Sequence, residues 1–269
     1  MTLRSSEVVD PKVFGLMPKS KMDRIRILNV EIDNISQDEL LAQLKRGVLV
    51  TPNVDDVMKH QRDKEFHKCA SLAEFCVCDS KILLLASKFI GHPLKEAIPG
   101  SSFFPKYCEY HQNDETRIFL LGAKEGVGEE AKRRINNRIG REIVVDTYSP
   151  PFGFEKNEKE CEHIVELLSK STANVVLVGL GNPKQTKWIY KYKDRLPFIN
   201  VFLALGATID FEAGNVKRAP NIFQKLALEW FYRFMKEPRR MYRRYFIEDI
   251  PFFLLLLKQK IGIYKNPFE

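Results

Sequence analysis

Cysteine is sparse in this chain: Cys69, Cys76, Cys78, Cys108 and Cys161 make an odd count, and no two have the two-residue spacing of a zinc knuckle or redox motif. They read as structural thiols. Histidine is equally thin, five residues without ligand spacing, and no two of the thirteen aspartates stand two apart, so there is no D-x-D element. These absences argue against a metal site, and specifically against a diphosphate bridged by Mg²⁺ or Mn²⁺ through paired carboxylates. No basic-then-apolar leader is visible at the N-terminus. The longest apolar run, Ile250 to Leu257, has eight residues, against the ~20 needed to span a bilayer. The expectation is a cytoplasmic protein without a metal or cofactor.

What is present is a 269-residue chain of ordinary globular composition, with a net charge of +8 that is unevenly placed. Between Lys217 and Lys260 eleven Lys/Arg face four Asp/Glu, which accounts for seven of the eight charges. A basic surface favours phosphates, whether on nucleic acid, on lipid headgroups or on a diphosphate substrate. Charge alone supports a nucleic-acid binder, and no other feature does.

The chain is organised around Asn174 to Gln185, NVVLVGLGNPKQ. Val175 to Val178 reads as a strand buried on both faces, Gly179 and Gly181 allow a sharp turn and close approach of a ligand, and Pro183 suits the first turn of the helix that follows. A strand, a tight loop and a helix N-terminus form a place to hold an anion or nucleotide. The loop is neither a Rossmann fingerprint, because Lys184 occupies the sixth position, nor a Walker A loop.

Around this stretch strands alternate with helices. Ser36 and Glu39 form a capping-box pattern for a helix ending near Gly47, followed by a strand at 48–51, a helix reaching about Ala70, a strand at 75–78 and a helix at 80–90. Strands at 118–121, 143–146, 175–178 and 201–205 alternate with helices at 129–138 and 158–171. The pattern predicts an α/β fold, a doubly wound, mostly parallel Rossmann-like sheet with a helical C-terminal appendage. Three segments are expected: an irregular arm over 1–24, the body over 25–219, and a basic amphipathic appendage over 220–269, with Asn221 capping its first helix and Pro238 breaking or kinking it.

In such a sheet the binding crevice lies beyond the carboxyl ends of the strands, where Thr51, Asn53, Asp79, Gly122, Gly181 to Gln185 and Gly206 to Asp210 fall. Asp79 reads either as the N-cap of the next helix or as a carboxylate at the rim able to act as a general base. Asp210 reads as a hydrogen-bond acceptor for a ribose or base, or as another cap. Arg233, Arg240 and Arg243 have the chemistry to stabilise a leaving diphosphate without a metal, or form a solvated basic face.

The segments TPNVDDV, LLGAKEGVGEEAKRRI, VVLVGLGNPKQTKWI, LALGATIDFEAGNVKRAP and LEWFYRFMKEPRRMYRRY, in this order over about residues 25 to 250, resemble the TagA/WecG/CpsF glycosyltransferases, family 26 of the sugar transferases. The resemblance implies an inverting, metal-independent transfer of a sugar from a UDP-sugar to a polyprenyl-diphosphate-linked sugar acceptor in bacterial surface-polysaccharide synthesis. It implies work at the cytoplasmic face of the membrane, to which the protein would be peripherally attached, and no nucleic-acid partner. By position, it makes Asp79 the base on the acceptor hydroxyl and puts Thr51 and Asn53 on substrate beside it. Gly179, Gly181, Pro183, Lys184, Gln185, Gly206 and Asp210 would hold the donor. Arg233, Arg240 and Arg243 would close over the leaving UDP. Three positions depart from the family: Ser80 where glycine is usual, Ala97 where arginine is usual, and Thr186 where glutamate is usual. They motivate an alternative, a catalytically weakened member that binds nucleotide-sugar or lipid and scaffolds a biosynthetic complex. A basic, aromatic tail also serves a homo-oligomer contact as well as a lipid contact.

Overall fold

Leu49, Leu203, Leu177 and Leu120 stand in register across four neighbouring parallel strands, and one position earlier Val48, Phe202, Val176 and Phe119 form a second such row. Side chains alternate across a strand, so one row must face each side of the sheet. Both rows are buried, which demands cover on both faces and explains why these strands read as unbroken apolar runs. The computed structural model describes residues 23–216, 229–236, 238, 242 and 248–269.

Among the described residues the chain opens with an antiparallel hairpin, β1 (Arg24–Ile27) and β2 (Val30–Asp33). It continues through α1 (Gln37–Gln43), β3 (Gly47–Val50), α2 (Val54–His60), α3 (Lys64–Ser71), β4 (Phe75–Cys76), α4 (Lys81–Ile90) and α5 (Gly100–Tyr110). The second half comprises β5 (Ile118–Gly122), α6 (Val127–Ile139), β6 (Val144–Tyr148), α7 (Glu158–Lys170), β7 (Val175–Gly179), α8 (Lys184–Tyr192), β8 (Val201–Ala204) and α9 (Thr208–Glu212). Helices α10 (Glu229–Lys236) and α11 (Ile250–Lys260) follow. The six-stranded sheet has the order β4-β3-β8-β7-β5-β6 with every pair parallel. The leucine row packs with α1, α5, α6 and α9, and the opposite row with α7 and α8. This is the doubly wound α/β fold that the alternation of elements predicts.

Several local expectations need correction. The helix expected through Ala70 is two helices, because Asp63 caps α3 by accepting from the Phe66 amide and restarts the helix after a break at Gln61–Arg62. The antiparallel hairpin and α5, the latter with Pro105 inside it, carry weaker patterns and were not predicted. The capping box at Ser36 and Glu39 is present as read.

A third core lies beside the sheet, where the hairpin, α2 and α4 meet α11. Phe252 and Leu256 of α11 are buried in it, and Gln259 pairs with the hairpin backbone, accepting from the Leu28 amide at 2.7 Å and donating to the Arg26 carbonyl at 2.8 Å. Helix α11 is thus seated on the α/β body. The irregular arm expected over residues 1–24 lies outside the described residues up to position 22. The proposed boundary at 219/220 and the expected cap at Asn221 also lie outside them.

Candidate active site

All six parallel strands point their carboxyl ends to one rim, and a chain of contacts links the exits. The Asp79 amide, beyond β4, donates to the Pro52 carbonyl beyond β3 at 3.1 Å. The Asp79 carboxylate accepts from the Gly100 amide at 3.0 Å. Gly100 lies so close to the β8 exit that a Cβ there would meet Leu205 Cβ at 3.1 Å and Thr208 Oγ1 at 3.2 Å. Further along, Gly122 ends β5 with φ +128°, and a Cβ on it would stand 2.5 Å from the Gly179 carbonyl oxygen at the end of β7. Only a residue without a side chain allows these two strand ends to touch. The Ser149 hydroxyl, beyond β6, donates to the Gly122 and Lys124 carbonyls at 3.2 Å.

Asp79 is not the helix cap. Ser80 caps α4, its hydroxyl accepting from the Leu83 amide, so the Asp79 carboxylate stands at the rim, held by Gly100. This corrects the capping alternative and gives a physical sense to Ser80, a residue suited to the cap. Thr51 is buried at the end of β3. Asn53 caps α2 in a reciprocal box with Asp56, each accepting from the other's amide. Its side-chain oxygen is therefore committed to the helix.

The loop from Gly179 to Gln185 is built from three directions. Gln185, 2% exposed, turns its Oε1 back to accept from the Gly181 amide at 3.1 Å and reaches the next exit to accept from the Gly206 amide at 3.2 Å. The Thr186 hydroxyl donates to Asn182 Oδ1 at 2.8 Å, and the Lys59 ammonium of α2 donates to the Asn182 carbonyl at 3.1 Å. Pro183 stands at the N-cap position of α8, and Lys184 opens the helix. Asp210 is within α9, whose N-cap is Ala207, so the reading of Asp210 as a cap is also corrected. Burial raises the Asp210 carboxyl above its ordinary range, with the Lys124 charge opposing the shift. A half-buried carboxylate at the crevice edge suits an acceptor for ribose or base hydrogen bonds.

Arg233 falls in α10, but its side chain, like Arg240 and Arg243, lies outside the described residues. The described stretch of α10 is Glu229–Lys236, and the expected break or kink at Pro238 lies where the neighbouring residues are outside the described ones.

Sequence reasoning missed three groups at this rim: Lys59, Gly100 and the segment Ser149 to Gly153. In the last, Phe152 is fully exposed, with the Lys184 ammonium 4.6 Å from its ring centroid and 3.0 Å from Glu155. The Pro150-Pro151 pair followed by Gly153 was the available signal, since such clusters mark a shaped loop.

Comparison with known proteins agrees with this geometry. The sequence profile of the Glycosyl transferase WecG/TagA/CpsF family matches residues 25–266. The chain is 32% identical over 203 residues, 76% of each protein, to the N-acetylglucosaminyldiphosphoundecaprenol N-acetyl-beta-D-mannosaminyltransferase of Bacillus spizizenii. It is 26% identical over 249 residues, 88% of this chain and 92% of the relative, to the protein of the same name from Staphylococcus aureus strain MRSA252. With nearly all of its described body inside the family match, this chain belongs to the WecG/TagA/CpsF glycosyltransferase family.

Proposed function

We propose that the protein transfers a sugar from a UDP-sugar to a lipid-diphosphate-linked sugar, with inversion at the anomeric carbon and without a metal ion. The relatives' names give the closest guide to the substrates: an N-acetylmannosaminyl group moved to an N-acetylglucosaminyl diphospholipid. The observation that carries the reading is the Asp79 carboxylate, released from helix capping and oriented at the rim by the Gly100 amide.

In this reading Asp79 takes the proton of the acceptor hydroxyl as that oxygen attacks the anomeric carbon. The bond from that carbon to the diphosphate oxygen breaks, and UDP leaves with the electron pair. One base opposite one leaving group gives inversion by a single displacement. Arg233, Arg240 and Arg243 are assigned to the charge that develops on the diphosphate, the work a D-x-D-bound cation does elsewhere. Asp210 and the loop from Gly179 to Gln185 are assigned to the donor, and Thr51 and Asn53 to the ground beside Asp79.

A lipid-linked acceptor calls for contact with a bilayer. No helix among the described residues is long and apolar enough to cross a membrane. Helix α11 buries Phe252 and Leu256 and turns Phe253, Leu254 and Leu257 outward, exposed by 49–63%. Leu85 and Phe89 of α4 are also exposed, and the Lys260 ammonium lies 6.0 Å from the Phe89 ring. An apolar face with lysines at its border supports peripheral contact with an anionic leaflet. The division into a body and a membrane-attaching appendage is part of this proposal.

Calorimetric titration of UDP and of UDP-N-acetylmannosamine in EDTA tests the donor assignment. Micromolar binding is expected. No binding by the folded, full-length protein would move the reading to the weakened, scaffolding family member.

A further inference from the structure

The two glycine loops at the crevice pack together where a Cβ on Gly179 would stand 2.9 Å from the Gly206 carbonyl oxygen, and one side-chain atom bonds to both. Gln185 Oε1 lies 3.1 Å from the Gly181 amide and 3.2 Å from the Gly206 amide. Two N–H donors converging on one atom require an acceptor there, which fixes the amide's orientation as well as its contacts. The Gln185 side chain is 2% exposed, while both glycines are half-buried. Losing the acceptor takes its partner from two backbone donors at once. The first loop carries the N-terminus of α8, and the second leads into α9 and Asp210. Gly181 and Gly206 both have positive φ, +77° and +54°, so both loops turn through backbone conformations that favour glycine.

We propose that Gln185 is a positioning residue that locks the β7–α8 loop to the β8–α9 loop, setting the distance between the diphosphate end and the Asp210 end of the donor site. The assignment of the two ends rests on the donor reading given above. The lock itself does not. It also means that the Gly181 and Gly206 amides are satisfied inside the protein, so the donor meets the shape they impose rather than their N–H groups. Misplacing one half of a bound substrate by about 1 Å can cost on the order of a hundredfold in rate, which is the leverage such a lock has.

The test begins without substrate. The chain has fourteen glycines, so selective labelling of glycine amides in the full-length protein allows Gly181 and Gly206 to be followed by hydrogen exchange. Gln185→Glu keeps acceptor oxygens at the same reach, Gln185→Asn shortens the side chain by one methylene, and Gln185→Ala removes it. Both amides are expected to be protected in the wild type and in Gln185→Glu, and to lose protection together in Gln185→Asn and Gln185→Ala. Unchanged exchange in a folded Gln185→Asn, or a change at only one glycine, overturns the proposal.

Transfer kinetics supply the second readout. Gln185→Asn is expected to lower kcat by about tenfold to a hundredfold, and Gln185→Glu to recover most of it while raising the donor KM through its added charge. A raised KM at unchanged kcat in Gln185→Asn would make the residue an ordinary donor contact and overturn the positioning role. If the exchange pattern appears but the wild type transfers no UDP-sugar, the lock stands and the donor reading fails.

Discussion

The close approach of β5 and β7 at the rim makes a quantitative prediction for Gly122→Ala. The methyl group would stand 2.5 Å from the Gly179 carbonyl oxygen and 2.7 Å from its carbon, both backbone atoms, at a φ of +128°. An unfavourable φ costs about 1–3 kcal/mol, and forcing the two strand ends apart adds about 1–3 kcal/mol. The sum, about 2–6 kcal/mol, is a large part of the ~5–15 kcal/mol that stabilises a typical domain. Gly140→Ala is the control. Its φ is +79° with nothing within 4 Å of the added methyl, so it carries the backbone cost alone, about 1–2 kcal/mol. In urea, with a slope of roughly 3 kcal/mol per molar, the Gly122 variant is expected to unfold about 0.7–2 M earlier than wild type, and the Gly140 variant by about 0.3–0.7 M. Equal shifts in the two variants would refute the argument, because the contact between strand ends would then carry no energy. UDP affinity should follow the same order, since Gly140 ends α6 away from the rim and Gly122 forms its floor.

Asp79→Asn is expected to lower kcat by about 10²–10⁴ with an unchanged unfolding midpoint, because an amide oxygen can still accept from Gly100; unchanged turnover would remove Asp79 as the base. Phe253→Glu combined with Leu254→Glu should abolish sedimentation with anionic vesicles and leave UDP binding intact, and retained sedimentation would shift membrane contact to another face. His60 is buried and its pKa is lowered to about 3 from 6.5, by burial first and then by His67. The unfolded chain therefore takes up a proton below pH 6.5 that the folded chain refuses. This group's contribution is complete above pH 6.5 and falls by about 1.4 kcal/mol per pH unit down to about pH 3. Urea titrations at pH 7 and pH 5 should show a smaller loss in His60→Gln than in wild type, and identical losses would contradict the buried, neutral assignment.

The sheet was legible because its signal is local. Runs such as VVLV in β7, stopped by Gly179, identify strands buried on both faces, and the rim follows from their direction. The hairpin β1–β2 escaped because its charged residues alternate over only four positions per strand, and α5 because Pro105 breaks its pattern. At the site, Asp79 could not be separated from a cap by sequence alone: Asp and Ser are both good caps, and only the Ser80 to Leu83 bond decides between them. Gln185 was legible as a residue of the crevice loop but not as a bridge, since its second partner lies twenty-one positions away. Phe152 and Lys59 reach the rim through tertiary contacts that no periodicity encodes.

The most direct measurement is transfer itself: purified protein in EDTA, UDP-N-acetylmannosamine as donor, and an N-acetylglucosaminyl diphospholipid as acceptor, with the anomeric configuration of the product read by NMR. The account predicts metal-free formation of a β-linked disaccharide lipid from the α-linked donor, lost in Asp79→Asn. A product that retains the donor configuration, or turnover that appears only on adding Mg²⁺ or Mn²⁺, would contradict it.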